Sequence, residues 1–421
     1  MKIFKDKLFF LLFSLISFAT GYTQTLSDTV FTPDLIKTVI IQKEGVAMSF
    51  PVIRLGGNER FLLSFDELSE SVTESYRYRI QHCNQDWTPS ELTPSQFING
   101  FEEGSLSEFQ FSFNTTQPYV HYELSFPERN DKFRESGNYV ITVFPEHSPE
   151  QPILRKQFYV LENLTTINGK IKQPAQDRFK KQEIEIVVSP NANNPFFISN
   201  PKTDLTVLVM QNGRRDKLTK LPLYNVRGNE YNFIWNEANI FDGGNEFRNF
   251  DMKNIRIRSR YIDKIDFFGG EYHVVLFPER NRSGYSYSKE SDINGKMMIH
   301  ADDRDNPSIE SDYGRVYFSL PMNQLRIDGR FYIVGQLTDW KLNKYSELKW
   351  NLEKKAYETN LFLKQGYYNY HLVFLPSGSR TGDETVIEGN HYETENEYYV
   401  FVYYRKFGDT FDRLAGFTTI R

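Results

Sequence analysis

Short segments with the side-chain pattern of β-strands constrain the fold of this chain more than any other feature. Residues 76–80 and 109–113 alternate aromatic with polar side chains, and residues 61–65 and 139–143 are rich in aromatic or β-branched types. A period of two matches a strand with one buried face. The 36 Phe and 26 Tyr among 421 residues suit a pleated, half-buried surface. Without a convincing amphipathic helix longer than three turns, the pattern predicts an all-β fold.

Turn-forming residues separate these segments into blocks near the usual domain size of roughly 100–150 residues. We predict two or three consecutive immunoglobulin-like β-sandwich domains, with boundaries at residues 22–162, 163–300 and 301–421. The last boundary rests on residues 301–307, which are charged, contain proline and include almost no apolar side chains. We interpret this stretch as an exposed link or long loop.

The first 21 residues have the pattern of a secretory signal peptide. Lys2, Lys5 and Lys7 precede an apolar run at residues 8–19, and residues 19–21 provide small side chains for cleavage. The run of 12 residues falls short of the roughly 20 that span a bilayer. We therefore predict cleavage after residue 21, no membrane-spanning segment in the mature chain, and a location in the periplasm.

The net charge indicates which partners are unfavourable, and the cysteine content indicates what can stabilise the fold. Without residues 1–21 the chain keeps 47 basic and 54 acidic side chains, a balance of −7. Nucleic acid and anionic membrane surfaces are poor partners for that negative field. Cys83 is the only cysteine, so an internal disulfide is excluded and packed cores must stabilise the protein.

Candidate reactive residues are few, and each has a structural interpretation. His82 and Cys83 are adjacent in a predicted strand, so their side chains point to opposite faces and cannot easily form a base–thiol pair. Asp302, Asp303 and Asp305 lack the glycine and the bidentate Glu of a calcium loop. The seven His show no zinc-ligand spacing, and no hydrolase or nucleotide motif appears. We predict no catalytic, cofactor-binding or metal-binding residues, and no enzymatic activity.

The region around Trp340 offers a different hypothesis. Residues 331–340, Trp350 and residues 363–370 are similar to starch- and glycogen-binding β-sandwich modules, in which a strand, a Gly and an Asn/Asp-Trp turn follow one another. Exposed rings in such modules stack on sugar faces. The alternative is that Trp340 and Trp350 close the core of a sandwich. A periplasmic or surface glycan-binding protein is therefore the second candidate.

A longer resemblance covers nearly the whole mature chain. The motifs that carry it occur in order at residues 78–87, 90–92, 99–101, 112–115, 119–122, 136–139, 244–251, 388–398 and 402–405. This pattern resembles the Bacteroidetes family of type nine secretion system plug proteins. Membership would imply a periplasmic protein, held at the outer membrane by a protein partner, that caps the periplasmic opening of the giant translocon barrel. The resemblance does not identify the docking residues, the domain orientation or the trigger for release.

Overall fold

The computed structural model describes residues 25–71, 74–193, 196 and 198–421. Strands hold 45% of the described residues and helices 6%, which confirms the predicted all-β class. The predicted signal peptide at residues 1–21 lies outside the described residues. None of the helices within the described ranges has the length and hydrophobicity that crossing a bilayer requires.

The N-terminal sandwich is built from twelve strands and one short helix. Their bounds are β1 Thr29–Val30, β2 Ile36–Lys43, β3 Val52–Arg54, β4 Phe61–Glu67, β5 Tyr76–Cys83, α1 Pro94–Phe97, β6 Ile98–Asn99, β7 Glu103–Leu106, β8 Phe109–Phe111, β9 Val120–Phe126, β10 Lys132–Phe133, β11 Gly137–Pro145 and β12 Leu154–Leu161.

Two sheets face each other in this sandwich. One has the order β1-β12-β11-β5-β7 with β3 parallel to β12, the other has the order β2-β4-β9-β8, and β6 and β10 form a small ribbon. Alternate residues of both sheets point inward, as in Phe61 and Phe158, whose ring centroids are 4.7 Å apart. The predicted strands at 61–65, 76–80, 109–113 and 139–143 lie in or overlap β4, β5, β8 and β11.

The remaining strands form two further units. Their bounds are β13 Thr165–Lys172, β14 Lys181–Pro190, α2 Pro201–Asp204, β15 Leu205–Gln211, β16 Thr219–Leu221, β17 Asn225–Arg227, β18 Glu230–Phe233, β19 Ile240–Asp242, β20 Arg248–Asp251, β21 Ile262–Phe268, β22 Glu271–Leu276, β23 Met297–Ile299, α3 Pro307–Glu310, β24 Tyr313–Pro321, β25 Gly329–Val334, β26 Glu347–Asn351, β27 Ala356–Lys364, β28 Gly366–Pro376, α4 Thr385–Glu388, β29 Tyr398–Tyr404 and β30 Arg413–Ile420. Three 3₁₀ helices lie at Arg215–Lys217, Glu237–Asn239 and Gln336–Thr338.

The middle sandwich combines strands that are far apart in the chain. Its first sheet has the order β13-β14-β18-β17 with β19 beside β14, and its second has the order β16-β15-β29-β30. Val207 of β15 is opposite Val402 of β29, and both are buried in one core with Ile186 of β14. Strands β29 and β30 therefore share an apolar core with β15, which lies about two hundred residues earlier in the sequence.

The nine-stranded unit is formed by β20 to β28. Its sheet has the order β20-β28-β25-β26-β27-β24-β22-β21, with β23 beside β28. The sheet surrounds one core that includes Phe250, Val316, Phe331 and Tyr370. The chain enters this unit from the middle sandwich and returns to it afterwards.

The strand pairing corrects the predicted division at residue 300. Residues 301–307 join β23 to α3 and β24 inside the nine-stranded unit, and the tail predicted as part of the third domain belongs to the middle sandwich. The acidic residues of this stretch are exposed, as expected, but the stretch is a loop within one sheet. Local alternation shows which side chains share a face, but it does not show which distant strand will pair with them.

Candidate functional site

Asp66 lies at the centre of a buried ionic cluster between the N-terminal sandwich and the nine-stranded unit. Its carboxylate is 2.6 Å from Lys364 Nζ and 2.5 Å from His121 Nδ1. The Tyr313 hydroxyl donates a hydrogen bond to the same carboxylate at 2.6 Å. Strands β4 and β9 hold Asp66 and His121, whereas β24 and β27 hold Tyr313 and Lys364. The cluster therefore joins the two units through charges that are closed to solvent.

The charges in this cluster compensate one another. Burial alone would raise the pKa of Asp66, but the Lys364 ammonium and the hydrogen bond to His121 hold it below its ordinary value. Burial alone would lower the pKa of His121, but hydrogen bonds to Asp66 and Glu123 raise it above its ordinary value. Burial lowers the pKa of Lys364 against the attraction of Asp66. Removing one partner would leave another charge buried and unpaired.

A second ionic cluster is centred on α4, at the start of the longest family-like motif. The buried Glu388 carboxylate accepts a hydrogen bond from Arg248 Nε at 3.0 Å and lies 2.6 Å from Arg282 Nη2. Burial would raise the pKa of Glu388, but these two guanidinium groups lower it to about 2. Glu384, one turn earlier, pairs with Arg214 at 3.1 Å and also with Lys217, both from the middle sandwich. The cluster therefore connects α4 to both neighbouring units.

The rest of the 388–398 motif forms an amide network. Asn396 Nδ2 donates to Gln182 Oε1 at 3.0 Å and to the Gly243 carbonyl at 2.8 Å. Asn212 Nδ2 donates to Asn396 Oδ1 at 2.6 Å, and the Tyr398 hydroxyl donates to Gln182 Oε1 at 2.6 Å. These side chains are buried and satisfy one another. The motif thus occupies the return path from the nine-stranded unit to the middle sandwich.

A third junction brings all three units together. Lys156 of β12 pairs with Asp339 of the nine-stranded unit, and Arg215 of the middle sandwich pairs with Asp28 at 2.9 Å. Burial would raise the pKa of Asp339, but Lys156 and the nearby Lys341 lower it. Stacked aromatic rings extend the contact between the two sandwiches, where Phe50 and Tyr399 have ring centroids 4.5 Å apart.

Trp340 packs within this third junction. Its ring is half-buried against Gly213 and Gly295, and a Cβ atom on Gly295 would lie 2.2 Å from the ring. Phe247 contacts it edge-on, with centroids 6.1 Å apart. Trp350 packs on Tyr357 beside the core of the nine-stranded unit. Both rings therefore face protein, which differs from the exposed stacking surface of the glycan-binding hypothesis.

His82 and Cys83 are the candidate base–thiol pair of the sequence analysis. His82 and Cys83 are buried in β5, where the His82 ring contacts Ser90 Oγ at 2.8 Å and the Ser136 carbonyl at 3.2 Å. Burial raises the pKa of the Cys83 thiol to about 12 and lowers that of His82 to about 4. Among the described residues, no group of three or more His, Cys, Asp or Glu side chains is placed to hold a metal ion.

Sequence reasoning missed the residues of the three ionic junctions. Asp66 and Lys364 are 298 positions apart, and nothing in the local pattern around either indicates a partner. The one available signal was the dense run of polar residues at 388–397, whose length exceeds what a simple turn requires. This run belongs to the family-like motif at residues 388–398, and its sequence alone indicates no role for it.

Comparison with known proteins identifies the family. Residues 36–162 match the model of the type 9 secretion system plug protein first domain. A crystal structure of a hypothetical protein from Parabacteroides merdae ATCC 43184 is 35% identical and superposes with a TM-score of 0.90, covering 94% of this chain and 99% of that chain. No curated protein matches the chain. Together with the ordered motifs, the matched first domain shows that the chain belongs to the type nine secretion system plug protein family.

Proposed function

We propose that this protein is the periplasmic plug that caps the inner opening of the giant outer-membrane barrel of the type nine secretion system. The observation that carries the proposal is the match of residues 36–162 to the first plug domain. That match supports a role in type nine secretion and an association with the cell envelope. We also propose that a signal peptide at residues 1–21 exports the chain in a Bacteroidetes bacterium, and that it acts by binding and without catalysis.

The physical requirement for such a protein comes from the size of the pore. A barrel with many strands encloses a water-filled channel, which leaks unless something fills or covers it. A cover must present a broad surface without a large loss of conformational freedom on binding. The ionic junctions around Asp66, Glu384 and Asp339 connect the three cores to one another, which supports a preformed body of this kind.

Affinity purification from native envelopes tests the proposal. We expect a tagged chain, expressed at its natural level, to recover a very large outer-membrane barrel protein after mild detergent extraction. Deleting the gene should increase entry of a large hydrophilic antibiotic, and a plasmid-borne copy should restore the barrier. Recovery of the tagged chain without any outer-membrane barrel, with unchanged permeability in the deletion strain, would contradict the proposal.

A further inference from the structure

Strand β8 forms an open edge of the N-terminal sandwich. Among the described strands it pairs with β9 alone, at the end of the sheet β2-β4-β9-β8. The Glu123 N–H donates to the Glu108 carbonyl, and the Ser112 N–H donates to the Tyr119 carbonyl. In an antiparallel ladder both backbone groups of a residue point to the same side, so the even-numbered residues of this segment face β9. The backbone N–H and C=O groups of Phe109 and Phe111 therefore face outward.

The side chains of the same residues are apolar and exposed. Phe109, Phe111 and Phe113 are exposed by 41%, 51% and 65%, and they lie on one face because they alternate along the segment. Phe109 is opposite Tyr122 of β9, which is buried in the sandwich core. The three rings thus extend the apolar face of the core to the edge of the sheet. No described residue covers them fully there.

Strand β8 is short, but none of its three residues is charged or a proline. Exposed edges normally carry charges or proline, which prevent pairing with another strand. The edge strand β21 follows this rule with Asp263, Lys264 and Asp266, whereas β8 contains only Phe109, Gln110 and Phe111. One outward-facing group of this edge already has a partner within the protein, because the Phe113 N–H donates to the Ile309 carbonyl at 2.9 Å. The neighbouring outward-facing backbone groups of Phe109 and Phe111 pair with no strand in the described part of the chain.

We infer that β8 is a docking edge that accepts an extended segment of the translocon protein as an additional antiparallel strand. Four backbone groups, two from Phe109 and two from Phe111, would pair with the incoming segment, and alternate apolar side chains of that segment would cover the exposed rings. Glu108 is exposed and makes no ion pair with a described residue, so a basic residue next to the apolar positions would complement it. This inference rests on the proposed function, because the added strand would come from the translocon protein that the plug covers.

Site-specific photo-cross-linking in native envelopes tests the docking edge. A benzophenone side chain replacing Phe109 should cross-link to the barrel protein, whereas the same group replacing Phe407 should not. Phe407 is the matched control because it is 97% exposed but lies in the loop between β29 and β30. Phe111→Lys should reduce the amount of co-purified barrel about tenfold, because it removes the apolar contact of one ring and places a positive charge at the edge, while the backbone groups stay unchanged. Phe407→Lys should leave recovery unchanged.

The outcomes separate this inference from the proposed function. If the wild-type chain recovers the barrel while Phe109 gives no cross-link and Phe111→Lys binds normally, the docking edge is wrong and the plug function stands. If the wild-type chain recovers no barrel, both fail. A Phe109 cross-link to a second copy of this chain would show that the edge pairs with itself and would overturn the inference. Thermal unfolding of Phe111→Lys near the wild-type temperature shows that the substitution acts on binding.

Discussion

Asp66 and Lys364 form an ion pair of 2.6 Å in which the two side chains are 0% and 1% exposed. The pair joins β4 of the N-terminal sandwich to β27 of the nine-stranded unit. A charge at such a site is tolerated because its partner and additional hydrogen bonds replace water. The Lys364 ammonium also donates to the Ser308 carbonyl and lies 4.1 Å from the centre of the Tyr119 ring. The Lys364 ammonium therefore has further polar and aromatic partners besides Asp66.

Removing Lys364 should destabilise the protein strongly. Lys364→Met leaves Asp66 buried without its main counter-charge, so we expect the free energy of unfolding to fall by about 3–5 kcal/mol. Lys354→Met is the control, since its pair with Glu358 is exposed at the lysine and should contribute at most about 0.5 kcal/mol. Urea unfolding measures both. Equal stability of the two variants would contradict the structural role of the junction. Adding Asp66→Asn to the Lys364→Met variant should recover part of the lost free energy of unfolding, because the buried negative charge is then removed.

The contribution of His121 to stability should decrease as the pH rises. Its folded-state pKa is raised above 6.5 by hydrogen bonds to Asp66 and Glu123, although burial opposes this. The protonated ring therefore stabilises the fold fully below pH 6.5, and this stabilisation is lost as the pH rises through the folded-state pKa. We expect His121→Gln to cost more stability at about pH 5.5 than at about pH 9.

Comparison with His147→Gln isolates this effect, because His147 is exposed on the same sandwich. The pKa of Asp66 is lowered, so its carboxylate persists across this range and is protonated only in stronger acid. Chemical unfolding of each variant at the two pH values gives the difference directly. A cost of His121→Gln that increases with pH would contradict the predicted sign.

Gly295→Ala should disrupt the packing of Trp340. Gly295 has a φ of +74°, and a Cβ atom there would lie 2.2 Å from the Trp340 ring and 2.6 Å from the Phe247 ring. Backbone strain and overpacking together should cost at least about 2 kcal/mol. Gly284→Ala is the control, since a Cβ atom on Gly284 meets nothing within 4 Å. Near-ultraviolet circular dichroism should change only in Gly295→Ala, and identical spectra for the two variants would show that the ring is free to move.

The Cys83 thiol should be unreactive in the native protein. It is fully buried in β5, and burial raises its pKa to about 12, so the reactive thiolate is scarce. We expect a thiol reagent to label the chain only after denaturant is added, at the rate of an ordinary free cysteine. Mass spectrometry at a series of times gives both rates. Native labelling as fast as denatured labelling would mean that β5 opens readily or that Cys83 is accessible.

The β class and the positions of many strands can be predicted from the amino-acid sequence, because the alternation in residues such as 76–80 and 109–113 is a local property of the chain. The sequence also indicates that Cys83 and His82 lie on opposite faces of one strand. Three relationships emerge only in the folded chain: β29 pairs with β15, Asp66 pairs with Lys364, and Trp340 packs against Gly295. Alternation specifies which side chains share a face, whereas the identity of a distant partner depends on how whole sheets fit together, which no local segment encodes.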